Sequence, residues 1–152
     1  MLSKKTKYGL IALLALARDY GQGPQLISTL AAQERIPKKF LEYILLQFKN
    51  AGLLQSRKGK GGGYALAGHP AEISVGRAIR ILEGPLAPVA CVSETAYERC
   101  TECDEATCGI RLVMKDVRDA MAEILDHTTL QDMLQRSKDE AKKRMGVVDF
   151  QI

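Results

Sequence analysis

Four cysteines, Cys91, Cys100, Cys103 and Cys108, fall in one stretch with eight, two and four residues between them. Thiolates are soft ligands and strong nucleophiles, so this spacing supports metal binding or redox sensing. Four thiolates satisfy a tetrahedral zinc site, where a pair two residues apart is common. Cys100 and Cys103 are equally suited to a reversible disulfide, a thiol switch that needs no metal. Inert, buried cysteines fit poorly here, because Glu98, Arg99, Glu102, Asp104 and Glu105 make the stretch polar.

A second chemical stretch is "QSRKGKGGGYAL", residues 55 to 66. A phosphate-binding loop of an enzyme follows a strand and leads straight into a helix, whose N-terminus meets the phosphate. Here Gly61, Gly62 and Gly63 lead instead into "YALA" and His69–Pro70. No Lys-Ser or Lys-Thr follows the glycines, and no acidic residue stands where a ribose would need one. The stretch reads better as the tip of a basic hairpin. Its glycines allow close approach to a sugar-phosphate chain, and Arg57, Lys58 and Lys60 supply charge for counterion release.

The elements around these stretches follow from periodicity. Residues 4 to 20 form a strongly apolar helix, and a second helix covers Thr29 to Arg35 with Ser28 as its N-cap. Pro37 opens a third, "PKKFLEYILLQFKNAG", in which Leu41, Leu45 and Phe48 face the core. Lys38, Lys39 and Glu42 point outward near its start, and Gly52 stops it. Short strands are expected over 53–56 and 64–67. Ser74 caps a fourth helix carrying Val75, Ala78, Ile79 and Leu82 on one face, ended by Gly84 and Pro85. Residues 88 to 109 lack periodicity. Ile110, Val113, Val117, Ala120 and Ile124 then form the seam of a long helix. Thr129 caps a last short helix, "LQDMLQRSKDEAKKR", and the final residues should fray.

The fold class that results is mostly α: a winged helix-turn-helix with a two-stranded wing, a cysteine-rich loop and a long dimerisation helix. The DNA-binding domain is expected over residues 1–86, the sensor loop over 87–109, and the dimerisation helix with its tail over 110–152. In such a fold the third helix enters the major groove and the wing touches backbone or minor groove.

Composition sets wider bounds. The 152 residues are 46% hydrophobic, enough for a core, and the absence of Trp makes that core mostly aliphatic. A net charge of +4 permits a polyanionic partner without demanding one. No apolar run reaches the roughly 18 residues that span a membrane. Lys4, Lys5 and Lys7 before "YGLIALLALA" mimic a short secretory signal, with Ala15 and Ala17 at its cleavage site. Arg18 and Asp19 instead continue the helix to the Gly21–Pro24 stop, so a buried first helix and a cytoplasmic protein are expected. An enzyme is disfavoured: there is no Ser–His–Asp arrangement, and His69 and His127 occupy a turn and a helix end.

"YGLIALLALA", "IPKKFLEYILLQFKNAGLLQSRKGKGGGYALA", "ISVGRAIRILEG" and the downstream cysteine loop resemble the bacterial family of IscR, NsrR, RirA and CymR. The similarity covers nearly the whole chain and is most specific from Ile36 to Leu66. It implies a dimeric winged-helix transcription factor, most simply a repressor, on a pseudo-palindromic operator of double-stranded DNA. Many members carry an iron–sulfur cluster that reports iron, nitric oxide or redox state, while CymR-like members bind none and respond through a partner protein. Glu42 stands where a recognition-helix glutamate contacts bases, a role that suits the N4 donor of cytosine. Lys39 replaces a residue that often carries a small hydroxyl. Ser56 and Lys58 match wing positions that contact DNA. The long helix pairs with its copy in the dimer, and the cysteine loop lies near the other subunit's DNA-binding unit.

The resemblance also bears on the ligands. Cluster-binding members use three cysteines and a fourth group. The His that serves in IscR-like proteins is here Arg111, which cannot ligate, and the acidic residue of NsrR-like proteins is here Lys7. This chain has an extra cysteine instead. Four thiolates within eighteen positions suffice for a [2Fe-2S] or [4Fe-4S] cluster. Cys91, Cys103 and Cys108 are the expected three ligands and Cys100 the fourth, with zinc ranked behind iron and sulfur.

Overall fold

The computed structural model describes residues 1–149. Helix α1 spans Lys4–Arg18, α2 Ile27–Glu34 and α3 Lys38–Asn50. Strands β1 (Leu54–Arg57) and β2 (Gly63–Leu66) form an antiparallel hairpin, followed by a 3-10 turn over Pro70–Glu72 and α4, Val75–Glu83. A second 3-10 turn over Ala90–Val92 precedes α5 (Gly109–Asp126) and α6 (Leu130–Asp149).

Helix α1 is the axis of the core. Leu13 and Ala12 have no exposed surface, and they join Leu30, Leu41, Ile44, Leu45, Phe48 and Leu82 in one hydrophobic, mostly aliphatic cluster. Ser3 caps α1, its Oγ accepting from the Thr6 N–H at 3.2 Å. Glu83, at the end of α4, accepts from the Ser3 N–H at 3.2 Å, from the Ser3 hydroxyl at 2.7 Å and from the buried Thr6 hydroxyl. The Thr6 and Ser3 donors hold the Glu83 carboxyl below the usual carboxylate range. Gly9 makes close packing possible here, because a Cβ would come within 2.2 Å of a Leu82 methyl.

The expected elements are present, with three adjustments. Ser28 is not the N-cap of α2; the helix starts at Ile27 with Leu26 in that place and no side-chain cap. The cause is tertiary. Gln25 exchanges two 2.8 Å backbone hydrogen bonds with Tyr64, which holds the chain extended up to the first helical turn. The strands are shifted by one residue, to 54–57 and 63–66. The last helix is not short: it runs 20 residues. The Thr129 cap is present as a reciprocal box, Asp132 N–H to Thr129 Oγ1 at 3.1 Å and Thr129 N–H to Asp132 at 2.9 Å. The expected fraying concerns the last residues, and 150–152 lie outside the described residues.

Two C-terminal features connect back to the winged unit. Leu130 is fully buried in the core, and its N–H donates to the Ile73 carbonyl at 3.0 Å. Arg80 of α4 makes a bidentate pair with Asp126 at the end of α5. Gly76 leaves room for it, since a Cβ there would fall 2.0 Å from Asp126 Oδ1. Along the rest of α5 no residue is buried. Ile110 is 69% exposed, Val113 56% and Ile124 61%, an unpartnered apolar stripe on a helix of 18 residues. No described helix is long and apolar enough to cross a membrane.

Candidate nucleic-acid interface and cysteine cavity

The turn between α2 and α3 is short. Arg35 takes the left-handed conformation at φ 56° and closes α2, the Ile36 N–H returns to the Ala31 carbonyl, and Pro37 precedes α3. Ile36 is buried and seats this turn. α3 is thereby docked by Leu41, Ile44, Leu45 and Phe48, and its other face is open. Lys38, Lys39 and Glu42 are all exposed on it, as the periodicity implied. Tyr43 is also there, 54% exposed, with the Lys5 ammonium 6.0 Å from its ring centroid. Tyr43 follows Glu42 on the outer face of α3, a place legible in the sequence; Lys5 reaches it only because packing brings the start of α1 beside α3.

The wing is built on a short ladder, with Leu54 opposite Leu66, Ser56 opposite Tyr64 and Arg57 opposite Gly63. Leu54 and Leu66 are buried and root it, while Ser56, Arg57, Lys58 and Lys60 are exposed. Gly59 and Gly61 have φ of 87° and 75°, a region that other residues rarely enter. Gly61 is exposed at the tip. Gly62 is buried within the hairpin: its N–H bonds the Gly59 carbonyl, and a Cβ would meet the Arg57 carbonyl at 2.2 Å. Gly63, at φ 134°, lies against the Gln25 carbonyl, only 2.0 Å from where its Cβ would stand.

All four cysteines line one cavity of about 450 Å3. Cys91 lies in the Ala90–Val92 turn, Cys108 is the N-cap of α5, and Cys100 and Cys103 are in the loop between. The Cys103 and Cys100 sulfurs are 3.5 Å apart. Glu105 shapes this loop by accepting from the Cys100 N–H at 3.0 Å and the Tyr97 hydroxyl at 2.6 Å. Hydrogen bonds to Cys108 and Cys100 push the Cys103 thiol up to about 12. The Arg111 N–H, with the Cys103 thiol as second donor, lowers that of Cys108. The thiolate form is thus favoured more at Cys108, at the helix N-terminus, than at Cys103. Among the described residues no three ligand-type side chains converge on a point that would hold a metal ion. The donor set still fits a thiolate-bound centre: four soft sulfurs face one cavity, with Arg111 on its wall.

The histidines lie elsewhere. His69 Nδ1 accepts from the Ala71 N–H at 3.1 Å and its ring packs edge-on against Tyr20. His127 closes α5, its ring nitrogen 2.8 Å from the Glu123 carbonyl.

Comparison with known proteins places this geometry. The model of the Rrf2 family, described as iron-dependent transcriptional regulators, matches residues 2–136. The chain belongs to the Rrf2 family. An rrf2-like helix-turn-helix regulator of Rhodobacter capsulatus is 40% identical, over 93% of this chain and 97% of its own. The solved CymR of B. subtilis superposes with a TM-score of 0.75 at 34% identity, covering 90% of this chain and 97% of that one. IscR of T. potens superposes with a TM-score of 0.74 at 30% identity, covering 92% and 90%. This Rrf2 protein therefore has the winged-helix fold expected of it, and it is a DNA-binding transcriptional regulator, not an enzyme.

The packing of Gly63 on Gln25 gives a test of the wing's footing. Gly63→Ala should lower stability by about 1–3 kcal/mol, the range for a strained or clashing backbone position. Chemical denaturation reads the loss, and an unchanged midpoint would mean that the wing does not bear on the loop before α2.

Proposed function

We propose that this regulator binds a pseudo-palindromic operator as a cytoplasmic homodimer, and that an iron–sulfur cluster held by Cys91, Cys100, Cys103 and Cys108 controls that binding. The observation that carries the sensor half is the common cavity: four cysteines from three separate segments line it, directly at the start of α5. When bound, the cluster supplies reversible electron transfer and sensitivity to oxidants and nitric oxide. The cysteines supply anionic sulfur, which the N-terminus of α5 and the Arg111 cation favour. Either a two-iron or a four-iron cluster is served by four thiolates, and zinc by the same four. The reading of a repressor follows from the family resemblance.

On the DNA side, Glu42 reads bases, because a carboxylate at a phosphate surface is useful only against a base donor. Lys38 and Lys39 position α3, and Ser56, Arg57, Lys58 and Lys60 position the wing with Gly61 at its tip. Gly62 acts through the hairpin's shape. Two copies place two such units on the operator's half-sites, joined along the apolar stripe of α5.

A second reading has its own observation. The 3.5 Å contact between Cys100 and Cys103 suits a thiol switch. There the two thiols give two electrons and two protons to a peroxide, forming one S–S bond and releasing two waters from hydrogen peroxide, or one water and one alcohol from an organic hydroperoxide. A partner protein, as the resemblance to CymR-like members suggests, is a further route of control.

Three tests follow. Glu42→Ala should shrink the ratio of operator to scrambled-DNA affinity, whereas Lys58→Ala should weaken both by roughly 1–2 kcal/mol and flatten the salt dependence; an unchanged ratio for Glu42→Ala removes it as a base reader. Val117→Asp puts an unpaired charge in the α5 seam, and sedimentation should show monomer; a mutant dimer as tight as wild type argues against that interface. Anaerobic reconstitution should yield a brown protein containing iron and sulfide. Serine at Cys91, Cys103 or Cys108 should abolish the visible spectrum, and serine at Cys100 should leave a weaker, more oxygen-sensitive cluster. Repeated reconstitution without iron uptake would sink the cluster reading; one zinc per chain without colour would establish the zinc site, and loss of two thiols to peroxide the switch.

A further inference from the structure

Arg111 lies on the wall of the cysteine cavity yet cannot ligate, since a guanidinium has only donors. Its Nε donates to the Cys91 carbonyl at 3.3 Å. Seven residues on, Arg118 donates through Nη1 to the next carbonyl, that of Val92, at 2.6 Å. The spacing is two helical turns, so both side chains leave α5 from one face. Arg118 is deeply set: its side chain is only 14% exposed, with Asp119 and Glu94 as acidic neighbours. A cation that withdrawn from water is costly unless it is fully hydrogen-bonded; here Nε (2.9 Å) and Nη2 go to Asp119 on the same helix, and Nη1 is the group spent on the Val92 carbonyl. Val92 and Ser93, which follow Cys91, are themselves buried.

The consequence concerns which cysteines move together. Cys108 is the N-cap of α5, and Cys91 is held to the same helix through these two arginines. Cys100 and Cys103 belong to the intervening loop, whose hydrogen bonds through Glu105 run within the loop itself. The cavity thus has one wall fixed to α5 and one wall formed by the loop.

We propose that Arg111 and Arg118 are positioning residues: a two-point clamp that fixes Cys91 to α5, so that Cys91 and Cys108 form the rigid half of the thiolate site. The role toward a cluster rests on the cluster reading above; the clamp itself does not. It lets a displacement of α5 carry half of the ligand set with it, while the loop pair accommodates the change.

The test is timed alkylation of the reduced, metal-free full chain with N-ethylmaleimide, read at each cysteine by peptide mass spectrometry. Arg118→Met keeps the apolar stem and removes the donors, and Arg111→Met does the same at the cavity wall. Cys91 should react roughly five-fold faster for each hydrogen bond removed, with Cys100 unchanged as the internal reference. Arg118→Lys, which retains a donor, should restore part of the protection. Equal Cys91 rates in wild type and in a folded Arg111→Met variant overturn the clamp, even if Arg118→Met fails to fold. After reconstitution, both Met variants should lose the visible band in air faster than wild type. Faster Cys91 labelling with unchanged decay would overturn the positioning role. Failure of wild type to take up iron is a separate result: it removes the cluster reading and leaves the labelling outcome standing.

Discussion

Burial of α1 is the constraint on which the rest of the molecule depends. A chain without Trp must make its core from aliphatic side chains, and α1 supplies much of it: the helix touches α2, α3, α4, α6 and β2. Its orientation is set at one end by Glu83, which gathers Ser3 and Thr6. Removing Glu83 would leave the fully buried Thr6 hydroxyl only the Ser3 Oγ, 3.1 Å away, as a partner. Since α3 packs on both α1 and α4, its exposed face is aimed by contacts made on its hidden side.

The wing illustrates how a flexible-looking sequence becomes a rigid part. Four glycines, Gly59, Gly61, Gly62 and Gly63, among basic residues suggest a loose finger. The structure instead gives each glycine a separate reason. Gly59 and Gly61 turn the chain, Gly62 admits the Arg57 carbonyl, and Gly63 admits Gln25. The last contact joins the wing to the segment just before α2, so the hairpin and the α2–α3 unit share one frame. The charges at the tip remain in water, where they are available for a polyanion.

The C-terminal half adds elements that the core does not fully absorb. Leu130 anchors α6, and the Arg80–Asp126 pair anchors the end of α5. Between these points α5 presents its apolar stripe outward and holds the cysteine cavity at its beginning. A helix fixed at one end, with the cysteine cavity at the other, is a suitable element for passing a local change to a packed one.

The reach of the sequence follows from the range of the forces involved. Local rules were enough for the helices and the hairpin: the Ser74 cap, the Leu41–Leu45–Phe48 face and the Gly84 stop are all properties of a few neighbouring residues. They also exposed the basic wing, Glu42 and the grouping of the cysteines. Ser28 failed as a cap because a backbone pair between Gln25 and Tyr64, far apart in the chain, decided where α2 begins. α6 begins where the Thr129 cap predicts but runs past Arg144 and through Gly146 to Asp149, because one glycine inside a helix costs only about 1 kcal/mol and does not by itself end it. Tertiary packing alone brought Lys5 beside Tyr43, set Glu83 on Ser3 and Thr6, and turned Arg111 and Arg118 toward the backbone of the Cys91 turn. Sequence spacing carries periodicity within an element; which side chains meet across elements is settled only when the chain closes on its core.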